Sequence, residues 1–293
     1  MNTYGVNKKK HRRMLIPAIV LVVLLAGGFI YQRNQSDAGS SVQDIPVIQE
    51  SEEEVAEVEP SEPDIDSLPS VQQELDAYIA GVTGGVTFGV ILEDPLTGEV
   101  LASHRAYEPY FAASIYKLYV AYLGLIDIEA GLYEPDEPYT QGLTRKACIS
   151  AMIRDSNSSC AEKMWVEQGK EASEDRLKEF GVTNTSMVAI TTTAHDANRI
   201  LYRLQQKTDL DSDSTALLRK ALEDQIYKEA IPTGLPSSTV YNKVGFYETG
   251  WHDAAIVALP SGREVVLTVF NQNAGSRQTA ALAKAIFEPL LDL

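Results

Sequence analysis

The sequence predicts an α+β fold, an antiparallel sheet backed by terminal helices and interrupted by an all-helical insertion. Three observations carry this. Strand-like runs lie at both ends of the region from residue 71 onward, at 86–94 and 99–103 and again at 239–247, 253–259 and 265–271. The stretch from 113 to about 203 has helical spacing instead, and helical patterns at 71–82 and 276–291 flank the whole. Strands at the ends with helices between them describe a discontinuous α/β part, 71–112 plus 215–293, and a helical part, 113–214.

Taking the chain in order, residues 1–13 hold Lys8, Lys9, Lys10, Arg12 and Arg13, and residues 14–31 form an 18-residue run without charge. At 1.5 Å per residue that run spans about 27 Å, close to the hydrocarbon core of a bilayer. Positive charge before it predicts an uncleaved transmembrane anchor with the N-terminus inside and the remainder outside. Residues 32–70 then carry eleven acidic side chains against Arg33 alone, the composition of a disordered tether. The net charge of −16 falls as +5 on residues 1–13, −10 on residues 32–70 and −11 on the domain that follows. Such a domain is no nucleic-acid binder, and the tether holds it off the membrane.

In the domain, 71–82 places Val71, Leu75, Tyr78, Ile79 and Val82 on one helical face. The turn Asp94-Pro95-Leu96-Thr97-Gly98 between two apolar runs marks a β-hairpin. The stretch from Phe111 to Tyr122 is an apolar helix interrupted by Ser114 and Lys117. Three residues apart, these fall on one helix face, where a desolvated amine could take the proton of the hydroxyl and make it a nucleophile. Two other stretches place polar groups in unusual company. Between two helical patterns lies Asp155-Ser156-Asn157, and in a strand pattern Lys243 is followed by Val244 and Gly245.

Together the three stretches resemble, in order and spacing, the S-x-x-K, S-D-N and K-T-G signatures of the penicillin-recognising serine hydrolases, most closely the class A β-lactamases. The segments 229–236, 251–257 and 191–196 are also similar to family stretches flanking these motifs. The resemblance implies a β-lactamase/transpeptidase-like fold and an acyl-enzyme on Ser114, with Lys117 as base. Lys243 is then expected to hold a substrate carboxylate and Asn157 the substrate amide. Ser156 and Gly245 line the site, and the N–H groups of Ser114 and Phe246 form the oxyanion hole. The ligand is a β-lactam or a peptidoglycan peptide, handled at the outer face of a bacterial membrane by a monomer without cofactor.

The departures from the family pattern are informative. Asp155-Ser156-Asn157 aligned on its asparagine puts Asp155 where the proton-shuttling serine belongs, unless Ser156 or Ser158 supplies that hydroxyl. Val244 replaces the threonine whose hydroxyl contacts a substrate carboxylate in the family. No acidic residue lies in residues 181–193, where the resemblance implies an omega loop with a deacylating glutamate. Glu162, Glu167 and Glu248 lie elsewhere, so deacylation is expected to be weak. The alternative is a decayed member that binds wall peptide or acts in regulation.

Cys148 and Cys160, the only cysteines, bracket the Asp155–Asn157 loop and are either a disulfide stapling it or two buried thiols. His11, His104, His195 and His252 form no cluster, and no metal is expected. His252 beside Asp253 invites a triad reading, but its place at a strand start points to a structural role.

Overall fold

A computed structural model describes residues 70–290. The basic residues, the apolar run at 14–31 and the acidic stretch, and with them the expected membrane anchor and tether, lie outside the described residues. Among the described residues no helix is long and apolar enough to cross a membrane.

Ser70 opens the domain as a capping box, its hydroxyl accepting from the N–H of Gln73 while the Gln73 side chain reaches back, and starts α1, Val71–Ala80. A five-stranded sheet follows, built from β1 (Thr87–Asp94), β2 (Glu99–His104), β7 (Thr239–Tyr247), β8 (Gly250–Ala258) and β9 (Glu264–Gln272). Its order is β2-β1-β9-β8-β7, and every pairing is antiparallel. The expected hairpins form, and β8 starts three residues earlier than its apolar pattern, because Trp251 and His252 pair with Phe246 and Gly245.

The sheet's two faces bury separate cores. One packs α1 and the C-terminal helix α9, Ser276–Phe287, through Leu75, Val90, Leu267, Leu282 and Ile286. The other packs the helical part: α2 (Tyr116–Glu129), α3 (Arg145–Arg154), α4 (Ser158–Gln168), α5 (Lys170–Glu179), α6 (Ala194–Gln206) and α7 (Ser212–Glu223). α2 is buried nearly all round, which explains its apolar composition. The boundary expected between residues 214 and 215 falls inside α7, which packs on both α3 and β7.

Short elements tie the layers together. β3 (Tyr110–Phe111) pairs with β6 (Thr191–Thr192), β4 (Pro138–Thr140) pairs with β5 (Leu143–Thr144), and α8 (Ile231–Gly234) leads into β7. A disulfide joins Cys148 of α3 to Cys160 of α4, with Cα atoms 5.2 Å apart. It closes the loop 155–157 at its base. Replacing both cysteines by serine should lower the unfolding free energy by up to about 3 kcal/mol. Thermal melts of the variant and of the reduced parent should then coincide, whereas an unchanged melting temperature would remove the staple from the account.

Candidate active site

Ser114 sits in a short 3₁₀ turn, Ala113–Ile115, that runs directly into α2. The preceding Ala113 has φ of +45°, a left-handed conformation that an alanine holds only when its surroundings enforce it. Two contacts enforce it. Ala112 donates its N–H to the carbonyl of Ile190 at 2.8 Å, and β7 is pressed against the turn at Gly245. A Cβ on Gly245 would lie 2.8 Å from the carbonyl oxygen of Ala112 and 2.9 Å from the nitrogen of Ile115. Only glycine lets the lysine strand lie this close to the serine turn.

Lys117, one helical turn after Ser114, is 2% exposed. Its Nζ donates to the carbonyl of Ser156 at 2.5 Å, to Ser158 Oγ at 3.0 Å and to Ser156 Oγ at 3.3 Å. Lys243 reaches the same hydroxyl from β7, donating to Ser156 Oγ at 3.1 Å and to the Val244 carbonyl at 2.8 Å. Ser156 therefore bridges two buried amines, and its own φ of +55° turns it toward them.

Burial sets the charge of both lysines. It pulls the Lys117 amine down to about 8, against an opposing pull from the Glu162 carboxylate. Burial, followed by the charge of Lys117, pushes Lys243 well below the ordinary lysine range, with Asp253 opposing. Asp253 is itself buried on β8, accepting from Asn242 Nδ2 at 2.9 Å and from the Ile231 N–H at 3.0 Å. Desolvation raises its carboxyl to about 7. Asn242 in turn accepts from Lys228 Nζ at 3.1 Å. This buried array behind Lys243 joins residues far apart in the chain, and no local motif announces it.

The remaining expected site residues fall as follows. Asn157 is not brought to the lysines. Its Oδ1 caps α4 by accepting the Cys160 N–H at 3.0 Å, and its Nδ2 donates to Gln141 at 2.9 Å. Ser158, two residues after Ser156, presents its hydroxyl to Lys117. Asp155 is turned away in a two-pronged ion pair with Arg154, so Ser156 and not Asp155 supplies the bridging hydroxyl. Phe246 continues the strand beyond Gly245 and is 44% exposed.

His252 is a strut. Its Nε2–H donates to the Phe111 carbonyl at 2.9 Å and its Nδ1 accepts the Asn271 N–H at 3.2 Å. Burial pulls it down to about 4, so it stays neutral and is no partner for Ser114.

Residues 181–193 form a tight turn in place of a long loop, closed by paired hydrogen bonds between Ser186 and Thr191 at 2.8 and 3.0 Å. Glu174, whose part is invisible in the sequence, pins the turn by accepting from Ser186 Oγ at 2.8 Å and from the Val188 N–H at 3.0 Å. Glu167 is held by Tyr139 and Arg145 at 2.7 and 2.8 Å. Among the described residues no group of His, Cys, Asp or Glu gathers to hold a metal ion.

The sheet order, the helical part and the serine turn under the lysine strand define the penicillin-recognising serine hydrolase class. A model of the beta-lactamase enzyme family matches residues 70–288, and the chain belongs to that family. No protein of curated function matches it in sequence. Among solved structures it is similar to PBP-A, at 17% identity and a TM-score of 0.69 over 78% of this chain and 100% of that one. It is also similar to a class A beta-lactamase representative from Bacteroides cellulosilyticus, at 14% identity and a TM-score of 0.67 over 76% of this chain and 98% of that one. A beta-lactamase from Chitinophaga pinensis superposes at 15% identity and a TM-score of 0.67, over 76% of this chain and 99% of that one.

A buried ammonium opposes folding, which gives a stability prediction with a definite sign. Lys117 titrates at about 8 when folded against an ordinary 10.5, so between those values the unfolded chain binds the extra proton and stability rises with pH. Lys117→Met should therefore melt above the parent at pH 7. Its advantage should shrink as pH climbs from about 8 toward 10.5, measured by denaturant unfolding across that window.

Proposed function

We propose that the chain is a serine acyl-hydrolase that forms an acyl-enzyme on Ser114 with β-lactams or cell-wall peptides. The single observation that carries this is Ser156 bridging Lys117 and Lys243 beside the serine turn. At neutral pH an amine titrating at about 8 is in part unprotonated and can accept the Ser114 proton. As the Ser114 oxygen–carbon bond forms, the carbonyl oxygen becomes an anion facing the N–H groups of Ser114 and Phe246. Collapse breaks the carbon–nitrogen bond. The departing nitrogen takes a proton from Ser156 Oγ, which Lys117 replaces, and the proton count closes.

Hydrolysis of the acyl group is expected to be slow. Residues 181–193 offer no carboxylate, and Glu174 and Glu167, which lie near in sequence, are engaged by protein partners. Glu162 is the carboxylate whose field reaches Lys117, and it follows Ser158 by one turn of α4. The basic residues before the uncharged run at 14–31, and the acidic stretch after it, support a tethered enzyme working on the outer face of the membrane.

A fluorescent penicillin should label the folded chain covalently, and Ser114→Ala should abolish the label. The adduct should outlast a chase with unlabelled drug, with nitrocefin turnover far below that of an efficient β-lactamase. Folded protein that takes no label would instead favour the decayed, peptide-binding alternative. Rapid nitrocefin turnover would contradict the account of deacylation.

A further inference from the structure

The site's surroundings are aromatic where an anionic substrate would need free cations. β7 is the last strand of the sheet, and among the described residues no strand pairs with its outer side. Near its C-terminal end the Phe246 ring stacks on its cross-strand partner Trp251 of β8 at 4.7 Å and meets Tyr227 edge-on at 5.3 Å. Ile226, 58% exposed, joins this shelf to the Ser156 loop by donating its N–H to the Arg154 carbonyl at 3.2 Å. Just before the Ser114 turn stands a second wall, where Phe111, 48% exposed, meets Tyr247 edge-on at 5.5 Å. Phe246 and Tyr247 are consecutive in β7 and face opposite sides of it, so exposed aromatic surface flanks the lysine strand on both faces, and such surface is commonly ligand-binding.

The cations on the framing elements are committed to the protein itself. Lys243 is fully buried and bound to Ser156 and Val244, and Lys117 is held by Ser156 and Ser158. Arg154 gives both prongs to Asp155. Lys228 is bound to Glu223, Val240 and Asn242, and Lys163 to the carbonyl of Tyr139. Both ring nitrogens of His252 are occupied, and the residue after Lys243 is a valine. The domain's charge of −11 adds a field that repels anions.

We propose that the preferred substrate is a neutral acyl donor, an ester, thioester or amide that bears an aromatic or bulky apolar group and no carboxylate beside the scissile bond. The inference rests on the acyl-enzyme reading above and ranks such donors ahead of anionic penicillins and of peptides ending in a free carboxylate. The apolar group lies on the Phe246–Tyr227 shelf or against Phe111. With a thioester, the Ser114 oxygen–carbon bond forms as the carbon–sulfur bond breaks. The serine proton passes through Lys117 to the departing sulfur, which leaves as a thiol.

The test uses the full chain and three thioesters. Two share a phenylacetylglycyl group and differ in the leaving thiol, which is thioglycolate in one and its methyl ester in the other; the third is the acetylglycyl version of the methyl ester. Thiol release and the mass of the Ser114 adduct are followed, and each rate is divided by that thioester's own hydroxide hydrolysis rate. The neutral phenylacetyl donor should acylate at least about ten-fold faster than its carboxylate twin, and about ten-fold faster than the acetyl donor, the range that apolar pockets discriminate. Phe246→Ala should cut the phenylacetyl-over-acetyl ratio by about five-fold, and Tyr227→Ala reads the same shelf if the first variant fails to fold. A Ser114 adduct that forms equally well or faster from the carboxylate twin would overturn this inference and leave the acyl-enzyme reading standing. No adduct from any of the three on folded protein would overturn both.

Discussion

Two buried lysine amines share one serine hydroxyl, and the rest of the active region is arranged to make that tolerable. An ammonium removed from water is costly, and two of them attached to one oxygen repel each other as well. The structure offsets this partly with hydrogen bonds to Ser156, Ser158 and Val244, and partly with the buried Asp253 near Lys243. What remains is relieved by partial loss of a proton from the Lys117 amine.

That arrangement depends on close approach by three separate pieces of chain. β7 delivers Lys243 and, through Gly245, lies directly on the serine turn. The neutral His252 ties β8 and β9 to the Phe111 carbonyl just before that turn. The disulfide and the Asn157 cap hold the base of the loop that presents Ser156. Ala113 and Ser156, both in left-handed conformations, sit where these pieces meet. Strain there, on the order of 1–3 kcal/mol per residue, is offset by the packing around it.

Much of this was legible in the sequence for physical reasons. The strands β1, β7 and β9 declare themselves by β-branched runs, and α2 by its unbroken apolar spacing around Ser114 and Lys117. Gly245 could be read as a point of close approach because no side chain fits there. The loop at 155–158 was harder. Its spacing leaves open which side chains meet the lysines, and in the structure Ser156 and Ser158 do so while Asn157 Oδ1 caps α4. Ser156 takes the central place because of its backbone angle, which sequence spacing does not encode. The roles of Glu174, Lys228, Asn242 and Asp253 come from contacts between distant segments, and the two-residue strands β3 and β6 are too short to carry a pattern.

The proposed acylation rests on one property, that burial leaves a minor but usable fraction of the Lys117 amine unprotonated at neutral pH. Its most direct test is an NMR titration of the lysine side-chain amines in the folded chain, with Lys117 assigned by its loss in Lys117→Met. The account predicts a midpoint near 8 for Lys117, well below the exposed lysines. A Lys117 amine that stays protonated beyond the ordinary lysine value of 10.5 would contradict it.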